Sequence, residues 1–373
     1  MAIEKLNIEN FLELAKHNPV IDVRSPGEFT HAQIPGAYSL PLFNDEERKI
    51  VGITYKQQSR EAAIKVGLDF FGVKMKGIVE ESEKIVASCR LLVESENHKK
   101  SDNRHLSSVT SILIHCWRGG MRSAAVAWLL DMYGFKVYTL AGGYKAFRNW
   151  VLKQFNKEYN LKILAGYTGS GKTIVLKEMQ NYGKAIIDLE GIANHKGSAF
   201  GALGEKPQPS QEMFENILAT ELHKKTFENN SEEIWVEDES QRIGKLIIPN
   251  NFWNIMRESP VHFLDISFEE RLNYIIDNYG KFKKDDLVNA ILRIQKRLGG
   301  LETKTAINFL LEDNLKECLS ILLKYYDKLY AKGLQNRKNY ESLLNIITCN
   351  SVNTNINVNK LLQPEIQCSE KQS

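Results

Sequence analysis

Residues Leu161 to Thr173 have the sequence Leu-Lys-Ile-Leu-Ala-Gly-Tyr-Thr-Gly-Ser-Gly-Lys-Thr, an apolar run that leads into Gly-x-x-x-x-Gly-Lys-Thr. The apolar run predicts a buried strand, and Ile174-Val175-Leu176 begins a helical pattern directly after the loop. Glycines permit positive φ angles and bring backbone N–H groups onto phosphate oxygens at a helix N-terminus. The stretch therefore predicts a phosphate-binding loop between a strand and a helix.

The predicted phosphate ligands all lie in this loop. They are Gly166, Gly169, Ser170, Gly171, Lys172 and Thr173. Lys172 is expected to reach the terminal phosphates, and Thr173 has the hydroxyl that would hold Mg²⁺ if this ion binds. A glycine turn at the start of an ordinary helix would explain neither the lysine nor the hydroxyl. The loop alone does not identify the phosphorylated molecule.

Composition indicates a globular protein with room for two domains. The chain has 373 residues, of which 43% are hydrophobic and 25% charged, and its net charge of +3 is too small to indicate nucleic-acid binding by itself. The five cysteines lie far apart without a C-x-x-C pair, which predicts free thiols in a reducing compartment. With no signal sequence and no apolar run of membrane length, we expect a soluble, cytoplasmic monomer that does not contact a membrane.

The sequence predicts four consecutive parts. Residues 1–150 form an α/β domain, 151–300 a phosphate-loop domain, 301–350 a helical extension and 351–373 a poorly ordered tail. In the first part, apolar runs around Val20–Arg24, Ser111–His115 and Gly134–Leu140 predict strands. The charged segment from about Glu94 to Ser108 predicts an exposed connection.

A second chemical centre is the segment Cys116-Trp-Arg-Gly-Gly-Met-Arg-Ser123. A cysteine after a strand, followed by a glycine loop and a helix N-terminus, lies where N–H groups and the helix dipole lower a thiol pKa. Arg118 and Arg122 add positive charge. Such a site favours a thiolate, a persulfide, a perselenide or a bound oxyanion. The alternative is an inert core thiol, as is common after apolar strands.

Two strand ends in the second half carry carboxylates. Asp188 and Asp238 are our candidates for a magnesium ligand or a base, since a carboxylate beside a phosphate loop can do either. The alternative is a solvated acidic strand end. Further along, Arg293, Lys296 and Arg297 form a basic stretch that predicts either a contact with a nucleic-acid backbone or a solvated helix face.

The first 150 residues resemble a rhodanese domain. The matching segments are Asp22-Val-Arg-Ser-x-x-Glu28-Phe29, Ile34-Pro-Gly-Ala37, the Cys116 loop and Gly134-Phe-x-Val-x-x-Leu-x-Gly-Gly143. One feature departs from the common sulfurtransferase loop, because Arg122 lies one residue later than expected. That length is seen in cysteine phosphatases, including those built on the rhodanese fold, so a phosphatase remains an alternative.

The whole chain, from about residue 10 to 330, resembles the tRNA 2-selenouridine synthase family. Beyond the two loops, the resemblance rests on the segments Asp188-Leu-Glu-Gly-x-Ala-Asn-His-Lys-Gly-Ser198, Glu237-Asp-Glu-Ser-x-Arg-Ile-Gly244 and Lys296-Arg-Leu-Gly-Gly300. It implies a rhodanese-like domain followed by a P-loop domain of parallel-sheet type with a helical C-terminal extension. It also implies candidate tRNA-binding residues, which are His195, Lys196, Arg242, Arg293, Lys296 and Arg297.

The resemblance implies a reaction in two steps on wobble 2-thiouridine in tRNA. Geranyl diphosphate would bind at the phosphate loop and alkylate the sulfur, and selenophosphate would then replace the geranylated sulfur by selenium. Cys116 would carry selenium or guide selenophosphate, with Arg118 and Arg122 holding the anion, and no cofactor would be tightly bound. The alternatives are a rhodanese-fold phosphatase or sulfurtransferase coupled to a nucleotide-binding domain, and a non-catalytic nucleotide switch.

Overall fold

The computed structural model describes residues 3–97, 111–228 and 233–362. The chain forms two compact units, Met1–Lys153 and Gln154–Ser373. The division lies close to the predicted boundary at residue 150, and the phosphate-loop domain and its extension belong to one unit. None of the described helices combines the length and the apolar character needed to span a bilayer.

The first unit contains a five-stranded parallel sheet in the order β1-β5-β4-β2-β3. Its strands are β1 (Glu4–Leu6), β2 (Val20–Asp22), β3 (Tyr38–Ser39), β4 (Ser111–His115) and β5 (Lys136–Leu140). Its helices are α1 (Ile8–Ala15), α2 (Pro26–His31), α3 (Asp45–Gln57), α4 (Arg60–Gly72), α5 (Met75–Asn97), α6 (Met121–Tyr133) and α7 (Gly143–Gln154). Strand β4 is central, which places Cys116 at the carboxyl edge of the sheet.

The burial of β4 agrees with its position in the middle of the sheet. Ile112, Leu113 and Ile114 of β4 are fully buried, as expected for a parallel strand covered on both faces. The predicted exposed connection from Glu94 to Ser108 begins inside α5, and its residues 98–108 lie outside the described residues.

The second unit contains another five-stranded parallel sheet, in the order β12-β11-β6-β8-β7, and a two-stranded antiparallel ribbon of β9 and β10. The strands are β6 (Leu161–Gly166), β7 (Ala185–Ile187), β8 (Ile234–Glu237), β9 (Arg242–Ile243), β10 (Leu246–Ile247), β11 (Val261–Ile266) and β12 (Leu344–Cys349). The α-helices are α8 (Lys172–Asn181), α9 (Leu189–Ala193), α10 (Gln211–His223), α11 (Asn250–Glu258), α12 (Phe268–Tyr279), α13 (Lys284–Leu298), α14 (Gly300–Leu311), α15 (Leu315–Gln335), α16 (Tyr340–Leu343) and α17 (Thr354–Leu362). A π-helical turn, Lys224–Glu228, follows α10.

The C-terminal part differs from the sequence prediction in two respects. The extension is largely helical, but β12 pairs in parallel with β11 as an edge strand of the sheet. The predicted poorly ordered tail contains α17, in which Val358 and Leu361 are buried and pack in the same core as Val175 and Leu176 of α8. Residues 363–373 of the predicted tail lie outside the described residues. Apolar residues spaced for one helix face thus complete the core around the phosphate-loop helix.

Candidate active sites

The loop between β6 and α8 has the backbone of a phosphate cradle. Gly169 and Gly171 adopt left-handed φ angles of +83° and +73°, and Gly171 caps the N-terminus of α8. A Cβ at Gly169 would lie 2.9 Å from the carbonyl oxygen of Arg271, so a larger residue would displace the loop. The hydroxyl of Ser170 is fully buried and has no hydrogen-bond partner in the described parts of the chain. The loop therefore presents its N–H groups at a helix N-terminus, which is a suitable site for phosphate.

Lys172 lies folded back on the loop. Its ammonium donates a 2.7 Å hydrogen bond to the carbonyl oxygen of Gly166 and lies 5.4 Å from the ring centroid of Tyr330. A phosphate in the loop would replace this carbonyl as the partner of the ammonium. Lys172 is thus in position for the predicted role and is held by contacts that a ligand can exchange.

Thr173 contacts a carboxylate, and this carboxylate belongs to Glu190. Its hydroxyl donates a 2.8 Å hydrogen bond to Glu190, whose own backbone N–H donates a 2.8 Å hydrogen bond to Glu237. The carboxyl of Glu239 hydrogen-bonds with that of Glu190, and the charge of Lys172 acts on Glu239. A cluster of Glu190, Glu237 and Glu239 therefore adjoins the phosphate loop.

Burial and mutual repulsion shape the ionisation of this cluster. Burial, followed by the charges of nearby Asp188 and Glu190, raises the pKa of Glu237 well above its usual value. Burial and the charge of Glu190 raise the pKa of Glu239 in the same way. Burial and the neighbouring charges therefore favour the protonated form of these two carboxyls.

The two predicted aspartates have other partners. Asp188 caps α9 by accepting a 2.7 Å hydrogen bond from the N–H of Gly191, and it forms a 3.0 Å ion pair with Lys177. Asp238 accepts a hydrogen bond from Tyr330 and forms a close ion pair with Arg337. We predicted that Asp188 ends a strand, but β7 ends one residue earlier, at Ile187. Asp188 is instead the N-cap of α9, the helix that contains Glu190.

The sequence analysis missed the acidic neighbours of these aspartates because three acids follow one another. Glu237, Asp238 and Glu239 occupy successive positions at the end of β8, where alternate side chains point to opposite sides. Glu237 and Glu239 accordingly reach the Glu190 side, whereas Asp238 reaches Tyr330. The period of two was the available signal, but it does not show which side faces the loop.

A buried arginine anchors the phosphate loop from behind. Arg271 of α12 donates hydrogen bonds to the carbonyl oxygen of Thr168 at 3.0 Å and to both carboxylate oxygens of Asp327 at 2.9 and 2.8 Å. Its side chain is nearly fully buried. Because Asp327 belongs to α15, this network fixes the loop to the helical extension.

The candidate nucleic-acid residues differ in their surroundings. His195 is half-buried, and burial followed by the charge of Arg293 lowers its pKa, so its ring is neutral at pH 7. Lys196 forms a 2.9 Å ion pair with Glu205. The exposed candidates are Lys196, Arg242, Arg293, Lys296 and Arg297.

In the first unit, the Cys116 sulfur lies in a cage of hydrogen-bond donors. It is 3.2 Å from the hydroxyl of Ser123 and accepts a 3.3 Å hydrogen bond from the N–H of Gly120, at the start of α6. Burial alone would raise the pKa of this thiol, but the hydrogen bonds from Ser123 and Gly120 and the charge of Arg122 bring it below the usual value. The geometry favours a reactive thiolate over an inert core thiol.

The loop after Cys116 is held in shape by its neighbour, the Gly142-Gly143 turn. The N–H of Tyr144 donates a 2.8 Å hydrogen bond to the carbonyl of Cys116, and the N–H of Lys145 donates one of 3.0 Å to Trp117. Gly119 has a φ angle of +63°, and a Cβ there would collide with the backbone of Leu140. Gly119 and Gly143 are therefore the glycines that the close approach requires.

The two arginines of the loop have different environments. Arg118 is exposed to solvent. Arg122 donates to both carboxylate oxygens of Glu28, at 2.6 and 3.3 Å, and this pairing outweighs burial to lower the pKa of Glu28. Glu28 thus occupies the place on Arg122 that we predicted for an anion, a partner that sequence analysis missed because it lies 94 residues away.

Behind the cysteine lies a buried polar group formed by Asp22, Arg24 and His115. Arg24 forms a close ion pair with Asp22 at 2.6 Å, donates to the carbonyl oxygen of Ala32 at 2.7 Å and stacks 3.8 Å from the ring centroid of Tyr144. His115 is fully buried, which lowers its pKa, and its ring nitrogens have no hydrogen-bond partner within the described ranges. This group supports the sheet edge that carries the cysteine.

No two cysteines among the described residues are joined. Cys89, Cys116, Cys318 and Cys349 are free thiols. Burial raises the pKa of Cys318 to about 12, in contrast to the lowered value at Cys116. The described residues also contain no group of three or more histidine, cysteine, aspartate or glutamate side chains arranged to hold a metal ion.

Comparison with known proteins assigns both units. The rhodanese-like domain family matches residues 7–149, and the family described as tRNA 2-selenouridine synthase AAA domain matches residues 159–345. The predicted order of domains is thereby confirmed.

Full-length relatives have the same assignment. A tRNA 2-selenouridine synthase of Sulfurovum sp. (strain NBC37-1) is 35% identical over 347 residues, covering 84% of this chain and 88% of the relative. That of Bdellovibrio bacteriovorus is 34% identical over 382 residues, covering 90% and 94%. That of Pseudomonas syringae pv. syringae (strain B728a) is 34% identical over 348 residues, covering 84% and 87%. With two matched domains and relatives of this similarity along most of its length, the chain belongs to the tRNA 2-selenouridine synthase family.

Proposed function

We propose that the protein converts 2-thiouridine at the wobble position of tRNA to 2-selenouridine through an S-geranyl intermediate. Geranyl diphosphate and selenophosphate are the two small substrates in this proposal, and neither is tightly bound as a cofactor. The observation that carries it is the presence, in one chain of this family, of two anion sites with different chemistry. One is a phosphate loop with Lys172, and the other is a cysteine whose pKa is lowered.

In the first step the thiocarbonyl sulfur attacks the first carbon of the geranyl group. The S–C bond forms as the C–O bond to diphosphate breaks, and the base loses its N3 proton to solvent. The loop N–H groups and Lys172 hold the diphosphate, which gains negative charge as it leaves. The exchangeable contact between Lys172 and Gly166 supports this role.

A magnesium ion would fit beside the diphosphate. The Thr173 hydroxyl and the Glu190 carboxylate are adjacent oxygen ligands, which is the chemistry that Mg²⁺ prefers. The ion would supply positive charge to the leaving diphosphate.

In the second step the selenium of selenophosphate attacks C2 of the modified base, and the Se–C bond forms as the C–S bond breaks and geranylthiol leaves. Water then attacks phosphorus, so that the Se–P bond breaks, phosphate is released and 2-selenouridine remains. Cys116 guides selenophosphate to the modified base. The donors around its sulfur would stabilise an anionic sulfur or selenium equally well. Arg122 would release Glu28 and bind the incoming anion in its place. The exposed Arg118 would add a second cation. A tRNA substrate and free thiols agree with the expected cytoplasmic location.

The proposal is tested by incubating the protein with thiolated tRNA, geranyl diphosphate and selenophosphate, followed by nucleoside mass spectrometry. We expect a geranylated nucleoside when selenophosphate is omitted and a selenated one when it is present. Cys116→Ala should still accumulate the geranylated product. Absence of both products, together with hydrolysis of p-nitrophenyl phosphate that depends on Cys116, would favour the rhodanese-fold phosphatase instead.

A further inference from the structure

A surface groove of about 440 Å³ lies where α13 meets α14. It is lined by Gln295, Lys296, Gly300, Thr303, Lys304, Ile307 and Asn308. The α14 members are spaced by three or four residues, which places them on one face of that helix. The groove therefore lies between the last turn of α13 and this face of α14.

The turn between the helices is built to hold this shape. Gly299 has a φ angle of +103°, and the hydroxyl of Thr303 donates a 2.6 Å hydrogen bond to its carbonyl oxygen. Two successive helices therefore meet at a single fixed residue. Lys296 and Lys304 approach the groove from opposite sides of this turn.

The groove is cationic, and its lysines are unpaired. Lys296 and Lys304 are exposed and form no ion pair with any described residue, and the groove lining contains no carboxylate. Six lysines elsewhere in the same unit differ from this pair, since each of the six has a carboxylate within 4.0 Å. They are Lys162, Lys177, Lys184, Lys196, Lys284 and Lys316. Glu302 is the neighbouring acid, and its carboxylate lies against Gly299.

Two amides add neutral donors to the two cations. The side chains of Gln295 and Asn308 line the groove and make no hydrogen bond with the described part of the chain. Ammonium and amide N–H groups that line one groove without a carboxylate suit a phosphate, which offers several acceptor oxygens. A solvated helix face would require neither the groove nor the excess of donors over acceptors.

A basic strip connects the groove with the phosphate-loop site. Arg293 lies one helical turn before Lys296, is exposed, and acts electrostatically on His195. The loop that follows His195 contains Gly197, where an added Cβ would lie 2.5 Å from a carboxylate oxygen of Glu239 in the acidic cluster. Arg293 thus links the groove lysines to His195, whose loop adjoins the place where we expect the first chemical step.

We propose that this groove binds the phosphate backbone of the tRNA substrate, with Lys296 and Lys304 as the contacting cations. The inference rests on the proposed function, because it names the surface by which the substrate is held. A continuous strip favours a polyanion over a single small phosphate, since a polyanion can occupy the groove and Arg293 together. Such contacts supply affinity and register without reading base sequence.

The test is tRNA binding by the full chain, measured by fluorescence anisotropy over a series of KCl concentrations. For Lys296→Gln/Lys304→Gln we expect a Kd raised about tenfold and a plot of log K against log salt that is shallower by about 1 to 2. The matched control is Lys284→Gln/Lys316→Gln, which makes the same change in net charge at paired lysines. We expect its Kd to stay within about twofold of that of the native chain.

A second measurement needs no substitution. Acetylation of the native chain with acetic anhydride, read by mass spectrometry, should be slowed by tRNA at Lys296 and Lys304 but not at Lys284 or Lys316. Two results would contradict tRNA binding in the groove. One is equal tRNA affinity in both double variants, and the other is equal acetylation of Lys296 and Lys304 with and without tRNA.

The outcome for the groove is separable from that of the proposed function. If the native chain forms the geranylated nucleoside but tRNA does not protect the groove lysines from acetylation, only the proposed tRNA binding in the groove is contradicted. A native chain that protects them but forms no modified nucleoside would support the groove and overturn the reaction.

Discussion

The hydroxyl of Tyr330 donates a 2.6 Å hydrogen bond to Asp238 and accepts one of 3.2 Å from the backbone N–H of Gly166. A residue of the C-terminal extension is thereby joined both to the phosphate loop and to the end of β8. Arg337 pairs with the same aspartate, and it also donates to the carbonyl of Met256. Asp238 consequently helps to position α15 against the loop, and its role as a magnesium ligand or a base stays a prediction.

Removal of the Tyr330 hydroxyl should weaken the fold around the loop. Tyr330→Phe leaves the N–H of Gly166 and one oxygen of Asp238 without this partner, so we expect the free energy of unfolding to fall by about 1–3 kcal/mol. Urea denaturation measures this change. Tyr325→Phe is the control, because Tyr325 lies on the same helix and its hydroxyl has no described hydrogen bond. Equal losses in the two variants would contradict the positioning role.

Lys172→Ala should remove the cation that contacts the diphosphate. We expect kcat/KM for geranylation to fall at least about 100-fold, since the charge of the leaving group loses its main stabilising partner. Lys177→Ala provides a control on the same helix, because Lys177 pairs with Asp188 at the surface. Quantification of the geranylated nucleoside should show little change in the control. A comparable loss in both would place the effect on α8 rather than on the phosphate contact.

Ser123→Ala should raise the pKa of the Cys116 thiol, because it deletes a hydrogen bond that stabilises the thiolate. The native thiol ionises at lower pH than an ordinary cysteine, so its alkylation rate rises at lower pH. In the variant this rise should move to higher pH. Iodoacetamide alkylation followed by peptide mass spectrometry measures the rate at Cys116, and Cys318 in the same digest serves as an internal slow reference. An unchanged pH profile would show that Gly120 and Arg122 suffice.

Glu28→Gln should release Arg122 for an external anion. The glutamine keeps the hydrogen bond from the N–H of Ser25 but loses the ion pair, so inorganic phosphate should protect Cys116 from alkylation at lower concentrations. Glu47→Gln breaks a similarly half-buried ion pair, with Lys74, away from the cysteine. We expect phosphate protection in that control to match the native chain. A Glu28 variant with native phosphate protection would mean that Arg122 does not bind the anion.

Glu237→Gln should increase stability as the pH rises. The folded-state pKa of Glu237 is raised, so its contribution is fully present below the unfolded-state pKa, about 4.3, and is lost as pH rises through the folded value. The variant lacks this loss, and its advantage in urea denaturation should therefore grow from about pH 5 upward. Glu233→Gln should behave oppositely, because Lys162 and Lys184 outweigh burial and lower the pKa of Glu233. A pH-independent difference for the Glu237 variant would exclude a buried proton.

Local patterns predicted the elements that carry the two reactive loops. The strands around Val20–Arg24, Ser111–His115 and Gly134–Leu140 and the strand-loop-helix around Gly171 agree with the structure. Such features depend on hydrogen bonds and apolar periods among residues close in sequence, which a linear pattern records. The family resemblance, given by the same short segments, was likewise readable without coordinates.

The sequence by itself thus determined the phosphate loop, the cysteine loop and their order in the chain. Only the tertiary structure decided their partners: Glu28 on Arg122, Glu190 on Thr173, and Tyr330 on Asp238. The first and last of these pairs are separated by 94 and 92 residues. Such pairs form because the carboxyl ends of parallel strands and the helices packed on them converge at one edge of a sheet. No local rule encodes that convergence, since it depends on strand order and on which side of a strand each residue faces.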